Sequence, residues 1–225
     1  NLSIDDGAKL IQYAYSNGIN FIDTAEIYEN YMYIREALKG IKRDDYVITT
    51  KCYAYTKEMA SESLELALRE LDTDYIDIFL LHEQESIHTI RGHYEAIEYF
   101  LKAKEAGKIR AIGISTHRIQ GVYGAMRFDD IEIIHPIVNK AGIGIQDGNI
   151  QDMLDAIKKA YTIGKGIYAM KPLGGGHLIG QMEEAFNFVK NISFIHSIAI
   201  GMQSTEEVDC NLNLMEMGEI PIDLK

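Results

Sequence analysis

The amino-acid sequence predicts an α/β fold built on a parallel sheet. Apolar, β-branched segments alternate with helical segments along the whole chain, which is the pattern of βαβ units. Most strand segments are near-continuous apolar runs, as expected for strands buried on both faces. The chain has 225 residues, close to the roughly 250 that are typical of a (β/α)8 barrel. Because no Pro-rich or Ser-rich linker divides it, we expect residues 1–225 to form one domain.

The elements of the first half follow from apolar spacing and stop signals. Ser3 lies three residues before Asp6 as a weak capping signal, and Asn17-Gly18 ends the first helix. Leucines spaced along one side predict a helix at 57–71, and a β-branched run predicts a strand at 46–50. The predicted order is a helix from about residue 4, an apolar segment at 19–25, a helix at 32–38, a strand at 46–50 and a helix at 57–71.

The second half repeats the pattern, with one glycine-bearing loop at 139–149. Strands are predicted at 76–81, 109–115, 131–138, 166–170 and 197–200. Helices are predicted at 94–106, 119–128, 151–163, 182–190 and 205–214. The whole chain therefore has eight predicted helices and seven predicted strands.

A barrel repeat begins with a strand, whereas this sequence begins with a helix, so barrel strand 1 is predicted to be missing. The strand at Phe21 and the last strand would then expose facing edges. Either the chain is truncated, or the gap closes as a distorted seven-stranded barrel, or another segment fills it. The interpretation we favour is truncation at both ends.

Composition disfavours several classes of protein. The hydrophobic share of 47% and charged share of 25% are those of a globular protein. The formal net charge of −12 disfavours nucleic-acid partners and anionic membrane surfaces. There is no apolar run near 20 residues, and the N-terminal residues do not resemble a signal peptide. The two cysteines, Cys52 and Cys210, fit a reducing compartment, so a cytoplasmic protein is expected.

Four residues at or just beyond predicted strand ends form a chemically coherent set. Active sites of parallel barrels lie at the carboxyl ends of the strands, and Asp23, Lys51 and His82 end three successive strands. With Tyr28 added, the lysine is expected to lower the pKa of the phenol, the aspartate to hold the lysine, and the histidine to orient a carbonyl. The set predicts a general acid for a carbonyl oxygen, with a nicotinamide as the hydride source.

Two glycine-containing segments after late strands predict a phosphate site. Lys171-Pro172-Leu173-Gly174-Gly175-Gly176 follows one strand, and its glycines let backbone amides approach an anion. Gly201-Met202-Gln203-Ser204 follows the last strand and opens a helix, whose N-terminus favours phosphate. The alternative for the triple glycine is a flexible loop. No metal site is predicted, because no cysteine or histidine spacing matches a metal motif.

In these residues the chain resembles the aldo-keto reductase family. The resemblance is carried by GINFIDTAEIY at 18–28, TK at 50–51, DYIDIFLLH at 74–82, GKIRAIGIS at 107–115 and AMKPLGGG at 169–176. It implies a (β/α)8 TIM barrel that uses NAD(P)H to reduce an aldehyde or ketone to an alcohol. It also implies that Tyr28 is the acid, that Lys51 and Asp23 tune it, and that His82 orients the substrate.

The resemblance and the phosphate-site argument together give a set of cofactor-binding positions. They are Ser115, Thr116, His135, Lys171, Leu173, Gly174, Gly176, Gly201, Met202, Gln203, Ser204, Glu207 and Asn211. Thr116 stands where the family usually has Asn, and His135 where it often has Gln. Glu207 stands where NADP-preferring members often carry Arg. Because a carboxylate would repel a 2′-phosphate, we expect NADH to serve at least as well as NADPH.

A narrower likeness is to the bacterial branch whose members carry a C-terminal ferredoxin-like 4Fe-4S extension. The segments LLHEQES at 80–86 and HPIVNKAG at 135–142 are similar to that branch, whose cysteine-rich tail is absent here. An iron–sulfur cluster needs four thiolates, and the chain has two cysteines, so no iron–sulfur cluster is predicted in it.

Two other functions stay open beside the reductase. The chain could serve as a nicotinamide-binding regulatory or sensing subunit with little turnover, or it could be an inactive barrel fragment. The expected partner is a small carbonyl substrate, without nucleic acid or membrane, and the oligomeric state is open.

Overall fold

Seven apolar runs form a single parallel sheet that curls into a nearly closed barrel. A computed structural model describes residues 2–216 of the chain. The strands are β1 (Phe21–Asp23), β2 (Val47–Cys52), β3 (Ile76–Leu81), β4 (Ile109–Thr116), β5 (Ile133–Pro136), β6 (Gly166–Met170) and β7 (Ser197–Ala199). Each strand pairs in parallel with the next one in the sequence. The predicted seven-stranded parallel barrel is confirmed.

Helices follow the strands and cover the outside of the barrel. They are α1 (Ile4–Ser16), α2 (Tyr31–Leu38), α3 (Lys57–Leu71), α4 (Ile87–Gly92), α5 (Tyr94–Glu105), α6 (Ile119–Ala125), α7 (Ile150–Thr162), α8 (Met182–Lys190) and α9 (Thr205–Glu216). Their apolar faces pack on the outward side chains of the strands, such as Ile48 and Phe79, which are completely or almost completely buried. Burial of both strand faces explains the near-continuous apolar runs.

The described residues contain nine α-helices, so the predicted number of eight is wrong. The additional helix is α4, which has only six residues and begins at a capping box formed by Ser86 and Thr89. Its six residues contain only two apolar side chains, Ile87 and Ile90, which is too short a repeat to identify a helix from the sequence. Three strands are also shorter than predicted: β1 covers only Phe21–Asp23, β5 only Ile133–Pro136 and β7 only Ser197–Ala199.

The barrel has a gap between its first and last strands. In residues 2–216, β1 pairs only with β2 and β7 only with β6, and no other strand pairs with either free edge. The edges of β1 and β7 instead line one wall each of a long groove. Within the described part of the chain, the predicted exposure of facing edges is therefore confirmed.

Strand register brings the ends of the first three strands together. Asp23 is the ladder partner of Thr49, and Lys51, two residues further along, is the partner of Leu80. His82 again lies two residues beyond Leu80. Because side chains alternate between the two faces with a period of two, these shifts keep Asp23, Lys51 and His82 on the inward face of the tilted barrel.

Close packing of strands inside the barrel depends on Gly113 of β4. A Cβ atom at this position would lie 2.2 Å from the carbonyl oxygen of Ile133 and 2.7 Å from the Leu80 side chain. No side chain fits at those distances, so glycine is required for β3, β4 and β5 to approach one another here.

Candidate active site

The site is organised around a buried ion pair. The Nζ atom of Lys51 lies 2.7 Å from Oδ2 of Asp23 and also donates to the backbone carbonyl oxygen of Thr24 at 2.7 Å. The Lys51 side chain is only 2% exposed. Burial lowers the pKa of this ammonium group, and the carboxylate of Asp23 opposes that effect. The prediction that Asp23 and Lys51 meet at the strand ends matches this geometry.

Tyr28 and His82 lie beside this pair, on the solvent side. The Tyr28 ring lies 5.3 Å from Lys51 Nζ and 6.1 Å from the His82 ring, which it meets edge-on. Tyr28 is 48% exposed, whereas His82 is buried. Burial, followed by the neighbouring Lys51 charge, lowers the pKa of His82 to about 4, so its ring is neutral at pH 7. The structure thus brings all four predicted catalytic residues together.

The predicted lowering of the Tyr28 pKa is wrong. The pKa of this phenol is raised, mainly by burial and then by the negative charges of Asp23 and Glu83. The Lys51 ammonium directs its hydrogen bonds to Asp23 and Thr24 rather than to the phenol oxygen. Tyr28 is therefore a protonated phenol over the whole physiological pH range, suited to donating a proton.

A second layer of polar side chains fixes Asp23 from the opposite side of the barrel. The Tyr168 hydroxyl, from β6, donates to Oδ1 of Asp23 at 3.0 Å and lies 3.0 Å from Oγ1 of Thr49. The His135 ring stacks on the Tyr168 ring with centroids 3.8 Å apart, and its Nδ1 lies 2.7 Å from the Tyr168 carbonyl oxygen. Because a carbonyl only accepts, Nδ1 carries the proton, which leaves Nε2 as an acceptor.

Four residues form a polar rim above His82. Tyr53 stacks on the His82 ring at 4.6 Å and donates to Glu83 at 2.7 Å. Lys171 Nζ lies 3.2 Å from Nε2 of His117, whose Nδ1 is 4.0 Å from Glu83. Glu83 and Lys171 both have left-handed backbones, with φ of 52° and 56°. Strained backbone of this kind is concentrated at functional sites.

The groove between β1 and β7 extends from Asp23 and Tyr28 to α9 and has a volume of about 1310 Å³. Asp23 and Tyr28 line its inner end. Nine of the predicted cofactor residues also line it: His135, Lys171, Leu173, Gly176, Gly201, Met202, Gln203, Glu207 and Asn211. Asn211 is buried, and its Oδ1 has no hydrogen-bond partner among the described residues.

Four predicted cofactor residues have other surroundings. The Ser115 hydroxyl is completely buried and accepts from the backbone nitrogen of Glu83. Thr116 bonds with the backbone of Arg118 and packs against α6, so the structure does not bring its side chain to the groove. Gly174 is buried against Ile143. The Ser204 hydroxyl accepts from the backbone nitrogen of Glu207 at 3.3 Å.

Glu207 has a structural role at the beginning of α9. Its Oε2 accepts from the backbone nitrogen of Gln203 at 2.7 Å. This hydrogen bond places a carboxylate against one of the backbone donors that would otherwise be free for an anion at the helix N-terminus. An anionic group entering this end of the groove would therefore meet a negative charge.

Sequence reasoning missed Thr49, Tyr53 and Tyr168. Tyr168 and Asp23 are 145 residues apart and meet only because β6 and β1 face each other across the barrel. The one available signal was strand alternation, which places Tyr168 and Met170 on the same inward face of β6. A residue with a polar tip at an inward position needs a buried hydrogen-bond partner.

The buried histidines make the fold sensitive to acid. Burial lowers the pKa of His135 to about 4, whereas an exposed histidine in the unfolded chain titrates near 6.5. The contribution of neutral His135 to stability is therefore fully present above about pH 6.5 and is lost as the pH falls toward 4. When the pH is lowered from 7 to 5, we expect the unfolding free energy of wild type to fall by about 2 kcal/mol more than that of His135→Gln, which lacks this histidine. Urea denaturation at the two pH values measures this difference, and equal losses would contradict it.

Within residues 2–216, no helix combines the length and apolarity needed to cross a bilayer. The same residues contain no group of three or more His, Cys, Asp or Glu side chains that could hold a metal ion.

Comparisons with curated proteins agree with the sequence resemblance. L-galactose dehydrogenase of Arabidopsis thaliana is 28% identical over 188 residues, which cover 79% of this chain and 58% of that protein. Methylglyoxal reductase DkgA of Yersinia pestis is 33% identical over 141 residues, which cover 61% of this chain and 49% of that protein. The chain thus spans about half of the length of these curated relatives.

Solved structures show the same fold. An aldo-keto reductase from Bacillus halodurans superposes with a TM-score of 0.78 at 22% identity, covering 98% of this chain and 84% of that one. Aldose reductase from Giardia lamblia superposes with a TM-score of 0.73 at 18% identity, covering 97% and 85%. The sequence model of the aldo/keto reductase family matches residues 2–220. This match extends over nearly the whole sequence, and the chain therefore belongs to the aldo/keto reductase family.

Proposed function

We propose that this protein reduces a small aldehyde or ketone to the alcohol with NADH or NADPH as the reductant. The observation that carries the proposal is the convergence of Asp23, Lys51, His82 and Tyr28, of which Asp23 and Tyr28 line a groove large enough for a dinucleotide. The family membership and the names of the curated relatives support the same class of reaction.

The groove residues fit a dinucleotide cofactor. Asn211 offers a buried, unpartnered Oδ1, and His135 is a neutral residue of the groove wall. Gly174, Gly175 and Gly176 all have positive φ, and a Cβ atom on Gly175 would meet nothing within 4 Å. This glycine turn leaves open space beside its backbone for a phosphate group. When bound, the nicotinamide would supply the hydride.

The chain's own residues supply the proton and the orientation. Tyr28 donates its phenolic proton to the carbonyl oxygen, since its raised pKa keeps that proton in place until it is needed. His82 is neutral, and one nitrogen of its ring can donate to the same oxygen and orient it. The Lys51 ammonium, held by Asp23, stabilises the negative charge that develops on the phenol oxygen during transfer.

A cofactor-oxidation assay tests the proposal. The protein is mixed with NADH or NADPH and a panel of aldehydes and ketones that includes methylglyoxal, because a relative is named for that substrate. We expect carbonyl-dependent loss of absorbance by the reduced cofactor. Binding seen as a change in cofactor fluorescence, without turnover on any carbonyl, would instead favour a regulatory or sensing subunit. Absence of binding would favour an inactive barrel fragment.

We also propose that the cofactor end near α9 prefers NADH. The carboxylate of Glu207 already occupies the Gln203 backbone donor, and Glu206 lines the same part of the groove. A 2′-phosphate entering this region would find the Gln203 backbone donor already occupied and would be repelled by the two carboxylates.

We expect Glu207→Arg to tighten NADPH binding about tenfold relative to NADH, because repulsion is replaced by a charged hydrogen bond. Fluorescence titration with each cofactor measures the ratio of dissociation constants. Glu183→Arg makes the same charge change in the first turn of α8 and should leave the ratio unchanged. An NADPH preference in wild type, or equal shifts in the two variants, would contradict this assignment.

A further inference from the structure

Asp23 is held by two donors that come from opposite sides of the barrel. Its Oδ2 accepts from Lys51 of β2, and its Oδ1 accepts from the Tyr168 hydroxyl of β6. β1 has only three residues and pairs on one side only in the described part of the chain. The backbone of Asp23 is thus supported from the β2 side, and the Tyr168 hydroxyl supplies a second support from across the barrel interior.

The direction of these hydrogen bonds follows from the chemistry of their partners. A carboxylate paired with an ammonium group only accepts, so Tyr168 must donate its single hydroxyl proton to Asp23. Burial and the Asp23 charge raise the pKa of Tyr168 far above the physiological range, which keeps that proton on the phenol. Thr49 Oγ1, 3.0 Å away, then donates to the Tyr168 oxygen.

His135 does not replace Tyr168 as the second donor. Its Nδ1 proton is directed to the Tyr168 carbonyl oxygen, and Nε2 of the neutral ring lies 3.7 Å from Asp23 Oδ1. That distance is too long for a hydrogen bond, and Nε2 has no proton to give. The stacked His135 ring instead fixes the plane of the Tyr168 ring, and the Phe21 ring contacts the Tyr168 ring at a tilt, with centroids 5.2 Å apart.

We propose that Tyr168 is a positioning residue for the reaction, holding the Asp23 carboxylate in the geometry in which it binds Lys51 beside Tyr28. The inference rests on the proposed reductase function, because its main effect is on proton donation by Tyr28. Tyr168 itself does not donate a proton to the substrate. It acts on the reaction through Asp23 and then Lys51.

The test compares Tyr168→Phe with Tyr31→Phe. Tyr31 is a matched control, since it is also buried and its hydroxyl lies 2.7 Å from Thr50, the residue that follows Thr49 in β2. Both variants lose one buried phenol hydroxyl and are expected to lose similar stability in urea. We expect Tyr168→Phe to lower kcat about tenfold with little change in KM, and Tyr31→Phe to leave kcat unchanged.

A double-mutant cycle with Asp23→Asn tests the route of the effect. If Tyr168 acts through Asp23, adding Tyr168→Phe to Asp23→Asn lowers kcat by less than about twofold further. A full tenfold loss in the Asp23→Asn background would overturn the proposal. Equal losses of kcat in the two tyrosine variants would also overturn it, because they would indicate a general effect of destabilisation.

A spectroscopic readout separates this proposal from the reductase proposal. A Lys ammonium held by hydrogen bonds exchanges its protons slowly and gives an NMR signal in ¹⁵N-labelled protein, and Lys51→Met identifies the signal of Lys51. We expect the signal in wild type and in Tyr31→Phe, and its broadening or loss in Tyr168→Phe. If wild type has no turnover, the Lys51 signal still tests whether Tyr168 positions Asp23 and Lys51. An unchanged Lys51 signal in Tyr168→Phe would overturn the positioning role.

Discussion

Tyr28→Phe is expected to lower kcat for carbonyl reduction by roughly 100- to 10,000-fold, the usual contribution of a positioned general acid. The change removes one hydroxyl from a ring that is 48% exposed, so the fold should be little affected. Cofactor affinity should also stay unchanged, because the phenol proton is needed only in the transition state. Steady-state kinetics with one carbonyl substrate, together with cofactor titration, measure both quantities.

Tyr55→Phe is the matched control for this variant. Tyr55 is another exposed tyrosine, 53% accessible, on the loop after β2. Its substitution removes an equivalent hydroxyl that is not part of the proposed catalytic set. Its kcat should remain that of wild type. A Tyr28→Phe variant that keeps the wild-type kcat would show that another group donates the proton.

The pH profile provides an independent check on the same residue. Because the pKa of Tyr28 is raised, the acid form persists beyond the ordinary phenol value of about 10. We expect that deprotonation of Tyr28 does not lower kcat/KM for reduction at any pH below about 10, and that it lowers kcat/KM above that pH. A basic limb with a midpoint well below that pH would indicate the lowered phenol pKa that the sequence suggested.

Lys51→Met should abolish most activity and also destabilise the protein. Removing one partner of a buried ion pair leaves the other charge uncompensated. We expect a loss of about 3 kcal/mol in unfolding free energy, at the lower end of the usual range, because the remaining Asp23 carboxylate is 18% exposed and keeps some contact with water. Urea denaturation and kinetics measure the two effects. Lys57→Met is the control, since its pair with Glu98 is exposed to solvent, and losing it should change the unfolding free energy far less than losing Lys51.

Stability and activity should separate in the double variant Lys51→Met/Asp23→Asn. Neutralising Asp23 removes the uncompensated charge, so part of the lost stability should return. Activity should not return, because no ammonium group remains to stabilise the developing phenolate. Recovery of kcat along with stability would show that Lys51 contributes to folding alone.

Much of the fold was predictable because its signals are local. Apolar, β-branched runs locate all seven strands, and the strand-end rule selects Asp23, Lys51 and His82 from the sequence. Helix α4 escaped prediction because six residues with one buried apolar side chain carry no helical period. The ends of β1 and β5 were likewise set by tertiary pairing rather than by composition.

Electrostatics and cross-barrel contacts were the features that the sequence could not provide. The sign of the Tyr28 pKa shift depends on burial and on Asp23 and Glu83, and no spacing argument gives those magnitudes. Tyr168 joins Asp23 through a single hydrogen bond between strands that are not neighbours in the sheet. Thr116 occupied the predicted strand end, but its side chain faces α6 rather than the groove.

The most direct test of the central claim is isotope transfer from the cofactor to the product. The full chain is incubated with reduced nicotinamide cofactor carrying deuterium on the transferable C4 position and with an aldehyde that it turns over in the panel assay. The account predicts that the alcohol carries one deuterium on its carbinol carbon and that Tyr28→Phe forms this product far more slowly. Bound cofactor without deuterated alcohol from any carbonyl of the panel would contradict it.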